Sequence, residues 1–148
     1  MKAPAWRLAR AAYPIGCAIQ SRYTDEDRLG HINNIAIATY YDEARMRFSS
    51  GLFAEIGREQ VTRIVTADSR VTYLAEAFYG DELEVRTGIL RIGSASYDIG
   101  QALFVGESCI GLCTTTFVQA TAQGSSPLSP AMRRALEAVS IHPPVPAE

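Results

Sequence analysis

The chain has 148 residues, 47% of them hydrophobic and 20% charged, which is a globular composition within the about 100 to 200 residues of one domain. Fourteen basic against sixteen acidic residues give a formal charge of −2, which argues against a protein that holds nucleic acid by neutralising phosphates. No apolar run approaches the roughly 18 residues that cross a bilayer, so no membrane partner is expected.

In chain order, Ile15 to Tyr23 reads as a strand, followed by the acidic, turn-forming stretch Thr24 to His31. From Asn34 the period changes. Ile37, Tyr40, Tyr41, Ala44 and Phe48 recur at three and four residues, the stripe of one long helix ending near Gly51, with Asn33 or Asn34 as N-cap and no acid in its first turn. After a connection around Phe53 to Glu59, four strands are expected: Val61 to Glu76, Glu82 to Ile92, Ala95 to Val105 and Glu107 to Gln119. Gly80-Asp81, Gly93-Ser94 and Gly106-Glu107 punctuate them at hairpin spacing. Ala131 to Val139 reads as a terminal helix and His142 to Glu148 as a loose, Pro-rich tail. This order predicts one α+β domain over residues 1–148, core about 15–138 with a loose N-terminal segment, whose antiparallel sheet wraps one helix.

The cysteines, Cys17, Cys109 and Cys113, are odd in number, which fits a reducing cytoplasm. The first 24 residues hold Lys2, Arg7, Arg10 and Arg22 and no acid, but Pro14 and Gly16 break any apolar signal stretch. Cys109 and Cys113, four apart in a strand pattern, should share one face and read as small buried hydrophobes rather than metal ligands. Nothing flanks them that would activate a nucleophile, and no Gly-x-Ser-x-Gly elbow, Walker loop or dinucleotide fingerprint occurs.

The chemistry left is in the loop from Asp25 to Asn34. A carboxylate just before a helix N-terminus sits beside unpaired N–H groups and the positive end of the helix dipole. A carbonyl docked on those N–H groups, with the carboxylate facing its carbon, is the layout for acyl transfer. The same residues would equally serve as turn and helix caps, and local physics does not decide between the two.

Asp25-Glu26-Asp27-Arg28-Leu29-Gly30-His31-Ile32-Asn33-Asn34, followed by Tyr40-Tyr41-Asp42-Glu43-Ala44-Arg45, resembles the signature of hotdog-fold acyl-CoA thioesterases of the 4-hydroxybenzoyl-CoA thioesterase type. The likeness continues at lower density through Tyr73-Leu74, Gly80 to Val85, Arg91-Ile92-Gly93, Ser96 and Pro130. It implies a hotdog fold, an antiparallel sheet around one central helix, and hydrolysis of an acyl or aroyl thioester to CoA and free acid. Asp27 then falls on the catalytic carboxylate, as general base or nucleophile, and the Asn34 backbone N–H on the donor that polarises the thioester carbonyl. Asp25 becomes a supporting acid. Gly30 keeps the approach to the site open, His31 and Asn33 line or shape the pocket, and Tyr41 joins the substrate-binding set. Arg91, or Arg70, is the candidate to meet CoA phosphates at a subunit interface, against the plain reading of a solvated strand arginine. Relatives commonly carry an aromatic residue where this chain has Ile37, a departure that bears on acyl preference. No cofactor or metal is called for. A homodimer with a continuous sheet, or a dimer of dimers, is implied, because one open sheet edge needs covering.

Glu43 is the second-choice carboxylate, since some hotdog thioesterases use a helix glutamate; it also stands four residues from Arg47, a surface pairing. Two other functional classes remain. A hotdog enoyl-CoA hydratase would show Asp-x-Asn-Pro-x-His, which the spacing of Asp27 and His31 does not match. A non-catalytic acyl-thioester binder would need the same cleft.

Overall fold

The structure is a computed structural model and describes residues 2–57 and 63–143. Two short 3-10 turns, Ala5–Leu8 and Arg10–Ala12, precede strand β1 (Ile15–Ile19); a third, Tyr23–Asp25, opens the acidic loop. Helix α1 runs Asn34–Ile56, followed by β2 (Ile64–Tyr73), β3 (Leu83–Ile92), β4 (Ser96–Val105), β5 (Ser108–Thr121), the short β6 (Gly124–Ser125) and α2 (Pro130–Ala138). The main sheet is antiparallel in the order β1-β3-β4-β5-β2, with β6 paired to β5.

The helix lies on the inner face of this sheet, the arrangement the hotdog resemblance implied. Ala36, Ile37, Tyr40, Tyr41, Ala44, Phe48 and Leu52 are buried at three- and four-residue spacing, and Ile37, Tyr41 and Ala44 pack with Val85, Leu103 and Ile110 of the sheet. The helix continues past Gly51, where the sequence suggested an end. Leu52, four residues beyond Phe48, stays on the buried stripe, and its packing outweighs the about 1 kcal/mol a mid-helix glycine costs. Termination comes at Gly57, whose φ of 81° is open to glycine and whose N–H bonds the Phe53 carbonyl at 3.0 Å. The expected connection from Phe53 to Glu59 is therefore helical up to Ile56; residues 58–62, including the expected start of the next strand at Val61, lie outside the described residues.

Two further expectations change. Cys109 and Cys113 do not share a face. The β4–β5 register slips between Leu103 and Phe104, so that Phe104 opposes Cys109 and Leu103 opposes Gly111. This bulge inserts Ile110 and breaks the two-residue alternation on which the expectation stood. Cys109 packs on the outer face and Cys113 on the inner. Nor is the N-terminal segment loose. Trp6 and Tyr13 pack on Ala102, Phe104 and Leu112, joined by Ile141, over the outer face of the sheet. Arg10 pairs with Glu84 at 2.7 Å and Arg86 donates to the Tyr13 carbonyl at 2.7 Å, which straps the segment down.

No helix among the described residues is long and apolar enough to cross a membrane.

Candidate active site at the start of the long helix

The acidic loop folds back on itself before α1. Asn33 N–H bonds the Asp25 carbonyl at 2.9 Å, Asp27 N–H bonds the His31 carbonyl at 3.0 Å, and Gly30 N–H closes the turn on the Asp27 carbonyl at 3.1 Å. Gly30 has a φ of 87° with open space around its Cβ position. Its requirement is thus conformational, a left-handed turn residue. The loop is then pinned to the segment after β2, where Ile32 N–H bonds the Ala77 carbonyl at 2.8 Å and Tyr79 N–H bonds Glu26 Oε1 at 3.1 Å.

Asp27 is half-buried. Its Oδ1 accepts the Leu29 N–H at 2.9 Å, which fixes the carboxylate in a local turn, and its Oδ2 faces His31 Nδ1 at 3.7 Å. The other imidazole nitrogen, Nε2, lies 3.7 Å from Glu76 Oε1. Two carboxylates therefore flank one imidazole. Glu76 carries no motif in the sequence and reaches His31 only because the Ile32–Ala77 bond brings its segment over.

The N-cap is Asn33: its side-chain oxygen accepts the Ala36 N–H at 2.8 Å. Asn34 and Ile35, the first two helical residues, precede any intrahelical acceptor, and their N–H groups bond no partner among the described residues. No acid occupies the first turn. The positive end of the dipole is left for something else to complement. Tyr73 spans this corner, donating to the Asn34 carbonyl at 3.3 Å while staying half-exposed.

The structure thus gathers Asp27, Gly30, His31, Asn33 and Asn34 in one corner, and separates the side chains of four other residues from it. Asp25 is buried at 2% exposure and fully engaged, by Tyr40 Oη at 2.6 Å, Arg22 N–H at 2.9 Å and the Arg22 guanidinium at 3.0 Å. Burial pushes its carboxyl up, but the Tyr40 and Arg22 bonds outweigh burial and hold it below the usual carboxylate value. It is a structural acid of the loop. Arg91 pairs with Asp98 at 2.8 Å, eight residues along β3 from Leu83, which shares a core cluster with Ile32 and Ala36. At strand rise that is about 26 Å, so one chain does not bring its own Arg91 to the corner. Glu43 bonds Arg47 at 3.0 Å on the helix flank near β1, the sheet edge opposite β2. Ile37 is buried in the core cluster rather than at the corner.

Along the β2-facing flank of α1 runs a groove of about 310 Å³ starting at Ile35 and lined by Thr39, Tyr41, Asp42, Ser69 and Cys113. Arg45 closes its floor, buried, with Nη1 on Gln101 Oε1 at 3.1 Å and Nη2 on Asp42 Oδ1 at 3.1 Å. Gln101 in turn donates to the Tyr41 carbonyl at 3.1 Å and Thr87 at 3.2 Å. The sequence hint to this network was a charged residue, Arg45, one position after stripe residue Ala44 and four after Tyr41. Tyr41 itself is 1% exposed with a hydroxyl that has no hydrogen-bond partner among the described residues. Burial raises the thiols of Cys17 and Cys109, which argues against either as a nucleophile.

The sequence model of the thioesterase-like superfamily matches residues 21–136, the span that carries both the acidic corner and the sheet around it. The chain belongs to the thioesterase-like superfamily. It is 26% identical over 93 residues to the protein YsmA of Bacillus subtilis (strain 168), a match covering 63% of this chain and 60% of that protein, so it spans about three-fifths of that relative's length. Among solved structures, a predicted thioesterase from Bacillus stearothermophilus superposes with a TM-score of 0.76 at 22% identity, covering 86% of this chain and 97% of the other. A thioesterase from Thermus thermophilus, in complex with coenzyme A and zinc, superposes with a TM-score of 0.75 at 25% identity, covering 89% and 98%. These likenesses establish the hotdog thioesterase fold and family, and acyl-thioester hydrolysis is the activity of that family in general terms.

Proposed function

We propose that this thioesterase-family chain hydrolyses an acyl-CoA to CoA and a free acid, with Asp27 as general base or nucleophile and the Asn34 N–H polarising the thioester carbonyl. The observation that carries this reading is the pairing of a fixed, half-buried carboxylate with an unpartnered helix N-terminus in the same corner. In the general-base route Asp27 takes a proton from water as the water oxygen bonds the carbonyl carbon. The carbonyl oxygen gathers negative charge against the Asn34 N–H, and the C–S bond then breaks with the proton passing to the departing thiolate. In the nucleophilic route an Asp27 oxygen attacks the carbonyl carbon and expels the thiolate, and water then hydrolyses the resulting anhydride, freeing the acid and the Asp27 carboxylate and supplying the proton the thiolate takes up. His31, held between Asp27 and Glu76, orients the carboxylate in either route.

The acyl group is assigned to the groove that begins at Ile35. Its lining by Asp42 and Ser69, over Arg45, favours an acyl or aroyl group with polar substituents, because a plain alkyl chain would cover those groups without pairing them. The CoA complex of the Thermus relative supports CoA as carrier.

Assembly follows from the sheet. β2 is an end strand of the order β1-β3-β4-β5-β2 and is exposed along most of its length, and a long open edge is a template for a second copy. A homodimer with a continuous sheet, two of which associate further, is the proposed state. The unpaired cysteines fit the cytoplasm as its compartment.

The test is a panel of acyl- and aroyl-CoA thioesters with a thiol-trapping reagent, on wild type and Asp27→Asn. The substitution keeps shape and removes charge, so turnover should fall at least about 100-fold, the lower end for a general base, with binding little changed. Glu43→Gln should keep turnover. A dead Glu43→Gln beside a fully active Asp27→Asn would move the chemistry to the helix. Binding without turnover across the panel by wild type would make the chain an acyl-thioester binder.

A further inference from the structure

Two buried arginines, Arg7 and Arg45, meet one rung of the sheet from opposite faces. The rung is Gln101 of β4 opposite Cys113 of β5. On the inner face, Arg45 Nη1 donates to Gln101 Oε1 at 3.1 Å and stands 4.0 Å from Cys113 Sγ. On the outer face, Arg7 Nη2 donates to the main-chain carbonyls of the same two residues, at 3.4 Å to Gln101 and 3.3 Å to Cys113. The inner side of this rung shapes the groove along α1, because Cys113 lines it with Ser69 and Gln101 holds Arg45 at its floor.

Other residues already dock the N-terminal strap. Trp6 and Tyr13 supply its apolar packing, and Arg10 and Arg86 its polar ties. Arg7 nevertheless puts a charge out of water, at 8% exposure, with only neutral partners: the two carbonyls, Tyr13 Oη at 3.0 Å and Thr114 Oγ1 at 3.3 Å. A well-packed apolar side chain would avoid that desolvation. Tyr13 also donates to the Arg7 carbonyl at 2.7 Å, so the residue is held at its backbone and at Nε before its guanidinium reaches the rung. What the guanidinium adds is a clamp on two carbonyls. The side chains of those residues stand on the opposite face, and a strand side chain takes its direction from its backbone, so fixing the rung from outside fixes Cys113 Sγ and the Gln101 amide inside.

We propose that Arg7 is a positioning residue for the groove, clamping the Gln101–Cys113 rung from the outer face so that Arg45 and Cys113 keep the groove's far end in shape for a long or bulky acyl group. The docked strap thereby sets acyl preference from the side of the sheet that substrate never touches. This role rests on the reading of that groove as the acyl site. An acetyl group stays at the corner by Asn34, whereas a long chain tipped with a hydroxyl follows the about 16 Å of helix from Asn34 to Arg45. Only the second depends on the rung.

The experiment compares wild type, Arg7→Met and Arg10→Gln, each checked for folding by circular dichroism; should Arg7→Met be unfolded, Arg7→Lys, which lacks the planar fork, takes its place. The first measurement is the rate at which N-ethylmaleimide alkylates each cysteine, read by peptide mass spectrometry, and it needs no turnover. Cys113 is 1% exposed on the inner face, while Cys109 packs on the outer face with Trp6 and Tyr13. Arg7→Met should alkylate Cys113 at least about tenfold faster, as loss of charge-assisted bonds loosens the rung, with Cys109 little changed. Arg10→Gln, which loosens the strap away from the rung, should leave Cys113 at the wild-type rate. The second measurement is kinetic. For 12-hydroxydodecanoyl-CoA, Arg7→Met should raise KM at least about tenfold with kcat little changed, and for acetyl-CoA it should change neither. If wild type hydrolyses neither compound, the same pair is compared by calorimetric binding, so failure of the hydrolase reading shows itself separately. Equal Cys113 rates in wild type and Arg7→Met, a joint rise of Cys109 and Cys113, or an equal effect on the long and short thioesters overturns the positioning role.

Discussion

Tyr40 and Asp25, fifteen residues apart in the chain, are joined by a 2.6 Å hydrogen bond in which the phenol donates to a carboxylate almost wholly out of solvent. This bond ties the second turn of α1 to the loop that carries Asp27, so the corner depends on a residue outside it. Tyr40→Phe leaves the carboxylate short of a donor, and a lost bond to a charged group typically costs about 1.5 to 3 kcal/mol. Urea unfolding should show a loss in that range with the m-value unchanged; a loss below about 0.5 kcal/mol would mean that Arg22 alone satisfies Asp25.

Acid should destabilise the fold through two aspartates. Burial raises the carboxyls of Asp25 and Asp98, but Tyr40 and Arg22 for the first, and Arg91 and Thr116 for the second, hold both below the ordinary value. A carboxyl depressed in the folded state stabilises fully above its unfolded pKa, about 3.9, and loses that contribution as pH falls through its folded value. Stability followed by denaturant midpoint should therefore fall below about pH 4, and Asp98→Asn should flatten part of the fall. A pH-independent midpoint from 5 to 2 would contradict both assignments.

Gly111 is required by contact rather than by conformation. A Cβ there would lie 2.7 Å from Tyr41 Oη and 3.2 Å from the Thr72 carbonyl. Gly111→Ala should cost about 1 to 3 kcal/mol, the usual range for overpacking. Adding Tyr41→Phe removes the nearer atom, so the double variant should be less destabilised than the sum of the singles. Additive losses would place the clash on the β2 backbone instead.

The contribution of Asn34 should be backbone, because Asn33 already caps the helix. Asn34→Ser keeps the N–H and should retain turnover. Asn34→Pro suits a first helical position structurally but deletes the donor, and losing one such donor typically costs about 2.7 to 4 kcal/mol in the barrier. With both variants folded by circular dichroism, equal thioesterase rates would remove this N–H from the proposed chemistry.

Light scattering at micromolar concentration should give at least twice the 16.1 kDa chain mass. A stable monomer would show that the β2 edge is not an assembly surface.

The pattern elements were legible locally because helix and strand periods are written within a few residues of each other. The α1 stripe from Ile37 to Phe48 and the glycine-marked hairpins at Gly93 and Gly106 needed no partner to be read. The Asp27 to Asn34 corner was legible for a similar reason: a turn, a cap and a helix start are all short-range events, settled by Gly30, Asn33 and the absence of acids in the first turn. What required the folded chain was every contact set by register or by a distant segment. One inserted residue at Ile110 reversed the side of Cys109, since strand alternation carries no memory across a bulge. Leu52 carried α1 past Gly51 because packing outweighs propensity. Asp25 and Asp27, two residues apart and alike in the sequence, were divided into a buried anchor and a half-buried carboxylate only by where Tyr40 and His31 sit. Arg7 and Arg45, 38 positions apart, meet one rung of the sheet from opposite faces only because the N-terminal strap crosses it.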